Sequence, residues 1–174
     1  MEVKKSELMF GGRILKVYRD EVVLDNGMEV TREVMRHQGT AAVVPITDNG
    51  EVILVKQYRY AVGKEMLEIP AGILEPGEEM AACAARETEE ETGYKPMELI
   101  HLFDFLSSPG YCTEKIGIYA ARKLVPSRQH LDADEDVEVV IMPLEEAVEL
   151  VKGGEIVDGK TIAAIMSVSA QSLI

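Results

Sequence analysis

The stretch from Gly72 to Tyr94, Gly-Ile-Leu-Glu-Pro-Gly-Glu-Glu-Met-Ala-Ala-Cys-Ala-Ala-Arg-Glu-Thr-Glu-Glu-Glu-Thr-Gly-Tyr, constrains this chain more than any other. Pro76-Gly77 signals a turn, Glu78 and Glu79 suit the positive end of a helix dipole, and Gly93 is a natural stop. The pattern predicts a helix over 79–92. At about 100° per residue, Met80, Ala81, Ala84, Ala85, Thr88 and Thr92 share one side, small enough to lie close against a sheet. Glu87, Glu90 and Glu91 fall within an arc of roughly 100°. Like charges at these spacings cost a helix about 0.2 to 0.5 kcal/mol per pair, and no lysine within the predicted helix stands four residues after any of them, Lys95 lying beyond the Gly93 stop. A hard divalent cation, Mg2+ above all, turns that repulsion into affinity, because such ions bind through a few carboxylates, water and substrate phosphates. On spacing alone, a solvated acidic helix face is the competing reading.

Gly72, Glu78, Arg86-Glu87, Glu90-Glu91 and Gly93, at these intervals, resemble the Nudix box, a pattern spanning the 23 residues 72–94. Seven matching positions make the motif specific. Thr88 departs from the aliphatic residue usual there, but it is β-branched and able to pack.

The 174 residues are 47% hydrophobic, enough for a substantial core, and suit one domain with an additional small unit. A net charge of −13 argues against a nucleic-acid backbone or an anionic membrane as partner, since both require clustered Lys and Arg. An anionic small substrate then needs metal ions and a few placed arginines. No apolar run of about 18 residues and no charged-then-apolar leader is present, so the expectation is a cytoplasmic protein with neither a membrane helix nor a signal peptide. The two cysteines, Cys83 and Cys112, are far apart and outside any CxxC arrangement, which indicates no disulfide framework and no zinc site. Cys83 reads as a small packing residue.

Along the chain, 13–24 and 28–37 flank Asp25-Asn26-Gly27, a hairpin signal that makes the first 38 residues a small antiparallel β unit. An isolated hairpin is marginal in water, so this unit needs its own domain or a second subunit to pack on. A second hairpin is expected from 41–46 and 52–58 through Asp48-Asn49-Gly50, with the later strand central in a sheet. Strands follow at 64–69, 97–106, 116–124 and 137–142, with a loop at 107–114. Leu144, Ala147, Val148 and Val151 are spaced as an amphipathic helix ending at Gly153-Gly154, and Asp158 is placed to cap a final helix. This order argues a mixed sheet covered by helices, an α/β fold.

The resemblance implies the Nudix α/β/α sandwich with a mixed sheet over residues 39–174, and the preceding β unit over 1–38 is similar to that of the ADP-ribose pyrophosphatase branch, where it commonly serves a two-fold homodimer. Pro109, sixteen residues after Gly93, is similar to the proline that marks ADP-ribose-hydrolysing members. Carried onto this chain, the resemblance implies Glu87, Glu90, Glu91 and the Ala71 carbonyl as ligands of Mg2+, or of Mn2+ in its place. It makes Glu78 and Arg86 a structural pair, with Arg86 also in reach of Glu90. Glu114 is implied as the general base, with Glu91 the alternative, and Arg32, Arg59 and Gly72 as substrate-binding positions. Each arginine reads equally well as a strand-surface residue. The implied reaction is Mg2+-dependent cleavage of ADP-ribose to AMP and ribose 5-phosphate. ADP-glucose, NADH or FAD are alternative substrates, and a non-catalytic ADP-ribose sensor is the alternative role, against which the intact carboxylates and the lack of a basic helix-turn-helix both speak. Asp132, Asp134 and Asp136 begin like a calcium loop, but Val137 and Pro143 stand where its glycine and closing glutamate belong, leaving an acidic loop. His37, His101 and His130 lack ligand spacing.

Overall fold

The computed structural model describes residues 1–131, 133 and 135–171. It begins with three antiparallel strands, β1 (Glu2–Gly11), β2 (Lys16–Val23) and β3 (Glu29–Met35), in the order β1-β2-β3. Asn26-Gly27 turns β2 into β3: Gly27 takes φ +81°, a left-handed conformation that glycine adopts freely, and the Leu24 N–H donates to the Met28 carbonyl at 2.9 Å. The expected hairpin therefore gains a third strand. β1 is exposed along its whole length, so no buried face imposes the alternation by which a strand is read from sequence. Asp20, buried on β2, accepts from the Ser6 hydroxyl at 2.5 Å and from Arg36 Nη2 at 2.9 Å, and Arg36 stacks over the Tyr18 ring.

The chain forms two compact units, Met1–Gly39 with Phe105–Lys115, and Thr40–Asp104 with the chain from Ile116 onward. In the first, the segment after β3 zips onto the loop 107–114. The Met35 N–H donates to the Tyr111 carbonyl at 2.7 Å, the Thr113 N–H to the Met35 carbonyl at 2.9 Å, and the His37 N–H to Thr113 Oγ1 at 2.9 Å.

The second unit carries β4 (Thr40–Pro45), β5 (Glu51–Arg59), β6 (Lys64–Glu68), β7 (Ala71–Ile73) and α1 (Met80–Thr92). Then come β8 (Tyr94–Leu106), β9 (Lys115–Pro126), β10 (Val137–Pro143), α2 (Leu144–Gly153) and α3 (Gly159–Ala170). One sheet has the order β7-β4-β9-β8 and is mixed, with β4 parallel to β9 and antiparallel to β7; the other is β10-β5-β6, antiparallel. The expected mixed α/β fold is thus present. β5 is central, as its apolar faces require, but β4 is not its hairpin partner. Asp48-Asn49-Gly50 closes a single bridge, Ile46 to Val52, and the two strands then enter different sheets. Every residue of β4 is buried, and such a strand is satisfied only in the middle of its own sheet, between β7 and β9.

α1 packs on β4 and β9 through Cys83 and Ala84 against Ala41, Val43, Tyr119 and Ala121. Small helix residues permit that close approach. Asp158 caps α3, its carboxylate accepting from the Thr161 N–H at 3.0 Å. Among the described residues no helix is long and apolar enough to cross a membrane. Asp132 and Asp134 of the acidic loop lie outside the described residues.

Candidate metal and diphosphate site

α1 starts beyond Gly77, at φ +83°, and stops at Gly93, at φ +74°, whose N–H donates to the Glu89 carbonyl at 2.9 Å. The chain at 127–130 then satisfies the remaining helix end. The His130 N–H donates to the Glu90 carbonyl at 2.9 Å, and Gln129 Nε2 donates to the carbonyls of Glu91 at 2.8 Å and Val137 at 3.2 Å. A Cβ at position 93 would stand 3.2 Å from the Gln129 nitrogen, so the glycine also makes room for this strap.

The buried stripe of α1 is Cys83, Ala84, Thr88, Glu91 and Thr92, while Ala81 is exposed. The expected apolar face is therefore rotated, and β7 supplies the reason. The Ala71 N–H donates to Glu91 Oε2 at 3.2 Å and the Cys83 thiol donates to the Gly72 carbonyl at 3.5 Å, drawing both side chains toward the strand. Thr88 is buried without an unsatisfied hydroxyl, because it donates back to the Ala84 carbonyl at 2.7 Å. Gly72 makes room for Glu87: a Cβ there would fall 1.7 Å from Glu87 Oε1, so the carboxylate lies directly over the glycine. Gly72, which the resemblance implies as a substrate-binding position, lies against the Glu87 carboxylate.

Arg86 is the charge that compensates this acidic face. Its Nε and Nη2 grip Glu78 at 2.9 and 3.0 Å, and its Nη1 reaches Glu87 Oε1 at 2.6 Å and Glu90 Oε2 at 2.9 Å. Glu78 in turn accepts from the Glu75 N–H at 2.9 Å, which closes the loop onto the helix. Arg86 pulls the Glu78 carboxyl down to about 2. Burial acts the other way on the inner carboxyls. It raises Glu87, and it lifts Glu91 to about 8 with help from the neighbouring charges of Glu87 and Glu135. Burial also pushes the Cys83 thiol up to about 12.

Among the described residues no three carboxylates, thiols or imidazoles are already gathered round a common point, and Arg86 sits between Glu87 and Glu90. The donor set still fits a hard cation. It is all oxygen, two of its carboxyls are held up by burial, and nothing projects from Gly72 into the space that Glu87 occupies.

Arg59 lays Nε and Nη2 on the buried Glu68 at 2.7 and 2.9 Å, and its charge lowers the Glu91 carboxyl, opposing the burial. Arg32 is exposed on β3, where Nη1 donates to the Thr31 carbonyl at 3.0 Å. Glu114 belongs to the first unit. Its Oε1 lies 3.8 Å from His37 Nδ1, which accepts from the Gly39 N–H at 3.1 Å. Sequence reasoning gave His37 no role, and missed Glu68, Gln129 and Glu135. A glutamate inside the apolar run Met66-Leu67-Glu68-Ile69 was the available signal for the first, and Glu135 was absorbed into the acidic loop.

The NUDIX domain family model matches residues 35–165. The chain is 42% identical over 161 residues to the ADP-ribose pyrophosphatase of Bacillus subtilis, covering 91% of this chain and 87% of that protein. It is also 40% identical over 169 residues to the methanol dehydrogenase activator of Bacillus methanolicus, covering 96% and 91%. A crystal structure of an ADP compounds hydrolase superposes with a TM-score of 0.84 at 23% identity over 99% of this chain and 96% of that one, a likeness of fold. A family model covering most of the chain, together with relatives at this identity, shows that the chain belongs to the NUDIX domain family.

Proposed function

We propose that the protein hydrolyses the diphosphate bond of ADP-ribose, releasing AMP and ribose 5-phosphate. The observation that carries this reading is the acidic face of α1, where Glu87 lies over Gly72 and Glu91 accepts from the Ala71 N–H, both carboxyls held up by burial, with Glu90 joined to Glu87 through Arg86. The similarity to the Bacillus subtilis ADP-ribose pyrophosphatase supports the choice of substrate. A divalent cation such as Mg2+, held by these carboxylates, supplies the positive charge that neutralises the phosphate oxygens. Arg59, with two of its five N–H groups committed to Glu68, turns the remainder toward the diphosphate. The attacking water adds its oxygen to one phosphorus, the bridging P–O bond breaks, and a carboxylate takes the water's proton. Glu114 and Glu91 are joined here by Glu135. Its charge is felt at both Glu87 and Glu91, which makes it a third candidate for that base.

The apolar side chains that β1 exposes, Val3, Leu8, Met9 and Phe10, suit a homodimer through the N-terminal sheet. Release of AMP from ADP-ribose in Mg2+, measured beside ADP-glucose, GDP-mannose, NADH and FAD, tests the reading. ADP-ribose should give the highest kcat/KM, and Glu114→Gln should slow turnover without abolishing metal binding. Absence of Mg2+-dependent AMP release overturns the proposal, and preference for another substrate overturns its specificity.

A further inference from the structure

Among the described residues Glu68 is the least exposed carboxylate, at 2%. It lies on β6 opposite Val55 of β5, and Arg59, four residues further along β5, shares that face, which lets the long side chain reach back to it. A second cation comes from α3. Lys160 Nζ, with its side chain 12% exposed, bonds both Glu68 Oε2 and, at 3.0 Å, Asp158 Oδ2. Asp158 accepts from the Thr161 hydroxyl at 2.6 Å, and Thr161 Oγ1 accepts from the Ile69 N–H at 2.9 Å. Ile69 adjoins Glu68 in the chain and leads through Pro70 to Ala71 and Gly72. Two cations and two carboxylates thus form a closed, balanced circuit between the first turn of α3 and the strands that carry the site.

Such a cluster contributes little net stability, because desolvation of the ions offsets their attraction, and apolar residues of similar size would serve as well. Its distinctive product is orientation. Glu68 accepts two parallel bonds from Arg59 only while the plane of its carboxylate is held, and Lys160 holds it at Oε2. The side chain of Arg59 stays 41% exposed, so the rest of its fork faces outward. We propose that Lys160 is a positioning residue that acts on the diphosphate through Glu68 and Arg59, without touching substrate itself. This inference rests on the reading of Arg59 as a diphosphate-binding residue.

Steady-state kinetics with ADP-ribose and Mg2+, and calorimetric binding of the α,β-methylene analogue of ADP-ribose, test it. Lys160→Met should raise KM and weaken analogue binding about tenfold, the order expected for one misplaced charged hydrogen bond, with kcat little changed. Lys160→Arg, which keeps a cation between Glu68 and Asp158, should restore both. In an Arg59→Met background, Lys160→Met should cost nothing more. If Arg59→Met leaves KM unchanged, the role of Arg59 fails. If Arg59→Met raises KM while Lys160→Met does not, or adds its full cost, the positioning role is overturned. A purely structural role would lower the melting temperature without separating KM from kcat. Should Lys160→Met not fold, Asp158→Asn, which keeps a helix cap but releases the lysine, carries the same expectation, and an unchanged KM there overturns the inference.

Discussion

Gly72→Ala isolates the geometry on which the acidic site depends. The added Cβ would stand 1.7 Å from Glu87 Oε1, 1.9 Å from Cδ and 2.6 Å from Oε2, whereas ordinary contact begins at 3.4 Å. The carboxylate must therefore retreat by about 1.7 Å, the difference between those two distances for Oε1. The retreat itself is cheap, because Glu87 offers the far end of a flexible side chain, and Gly72 does not occupy the left-handed region that would strain an alanine. The fold should survive with its melting temperature nearly unchanged. Function should not, since displacing a reacting or ligating group by about 1 Å can cost about a hundredfold in rate. The assay is kcat/KM for AMP release over a range of Mg2+ concentrations, with both kcat/KM and the apparent affinity for the ion falling. Because the effect runs through one side chain, Gly72→Ala should cost nothing further in a Glu87→Gln background. An unchanged rate, or a full additional loss in that background, refutes the reasoning.

Two further outcomes follow from the charges. Burial raises the Glu91 carboxyl from 4.5 to about 8, so the folded chain keeps a proton that the unfolded chain has released. Metal-free protein should therefore lose stability as pH rises from about 4.5 to about 8, at a limiting slope of roughly 1.4 kcal/mol per pH unit. Thermal denaturation in EDTA should show that slope in the wild type and not in Glu91→Gln. Arg86→Met leaves Glu78, Glu87 and Glu90 facing one another without their shared guanidinium, and urea denaturation should show a loss of about 3 kcal/mol. Arg86→Lys should recover only part of it, since an ammonium has no fork to divide among three carboxylates.

The legible parts of this chain were those where local chemistry and tertiary burial demand the same residue. Asn26-Gly27, Gly93 and Asp158 each act at the point where the chain turns, ends or begins a helix, because a positive φ or an orphan N–H is a local need. Helical spacing alone puts the three box glutamates on one side of α1, but it does not show Arg86, which stands between Glu87 and Glu90. What escaped depends on neighbours that only the fold supplies. β1 has no buried face to mark it, and β4 and β5 read as a hairpin because their shared turn is hairpin-like while their partners lie elsewhere in the chain. Ala81 and Cys83 are both small, and only the strands, β4 and β9 by packing and β7 by its bond to Cys83, decide which of them is buried. Glu68 and Lys160 are 92 residues apart in the chain, beyond the reach of any periodicity. Glu135 carried no spacing of its own within an acidic run.

Cys83 sits against the same acidic cluster and bears on its chemical reactivity. Its sulfur receives Arg86 Nη2 at 3.4 Å and points its proton at the Gly72 carbonyl, so a potential soft ligand lies next to a set of hard ones. With its thiol pushed up to about 12 by burial, the sulfur stays protonated throughout the physiological range in the metal-free chain, and is an unreactive thiol there. Burial of one small side chain thus keeps a neutral thiol beside the acidic cluster, tied to both the strand and the arginine that brace it.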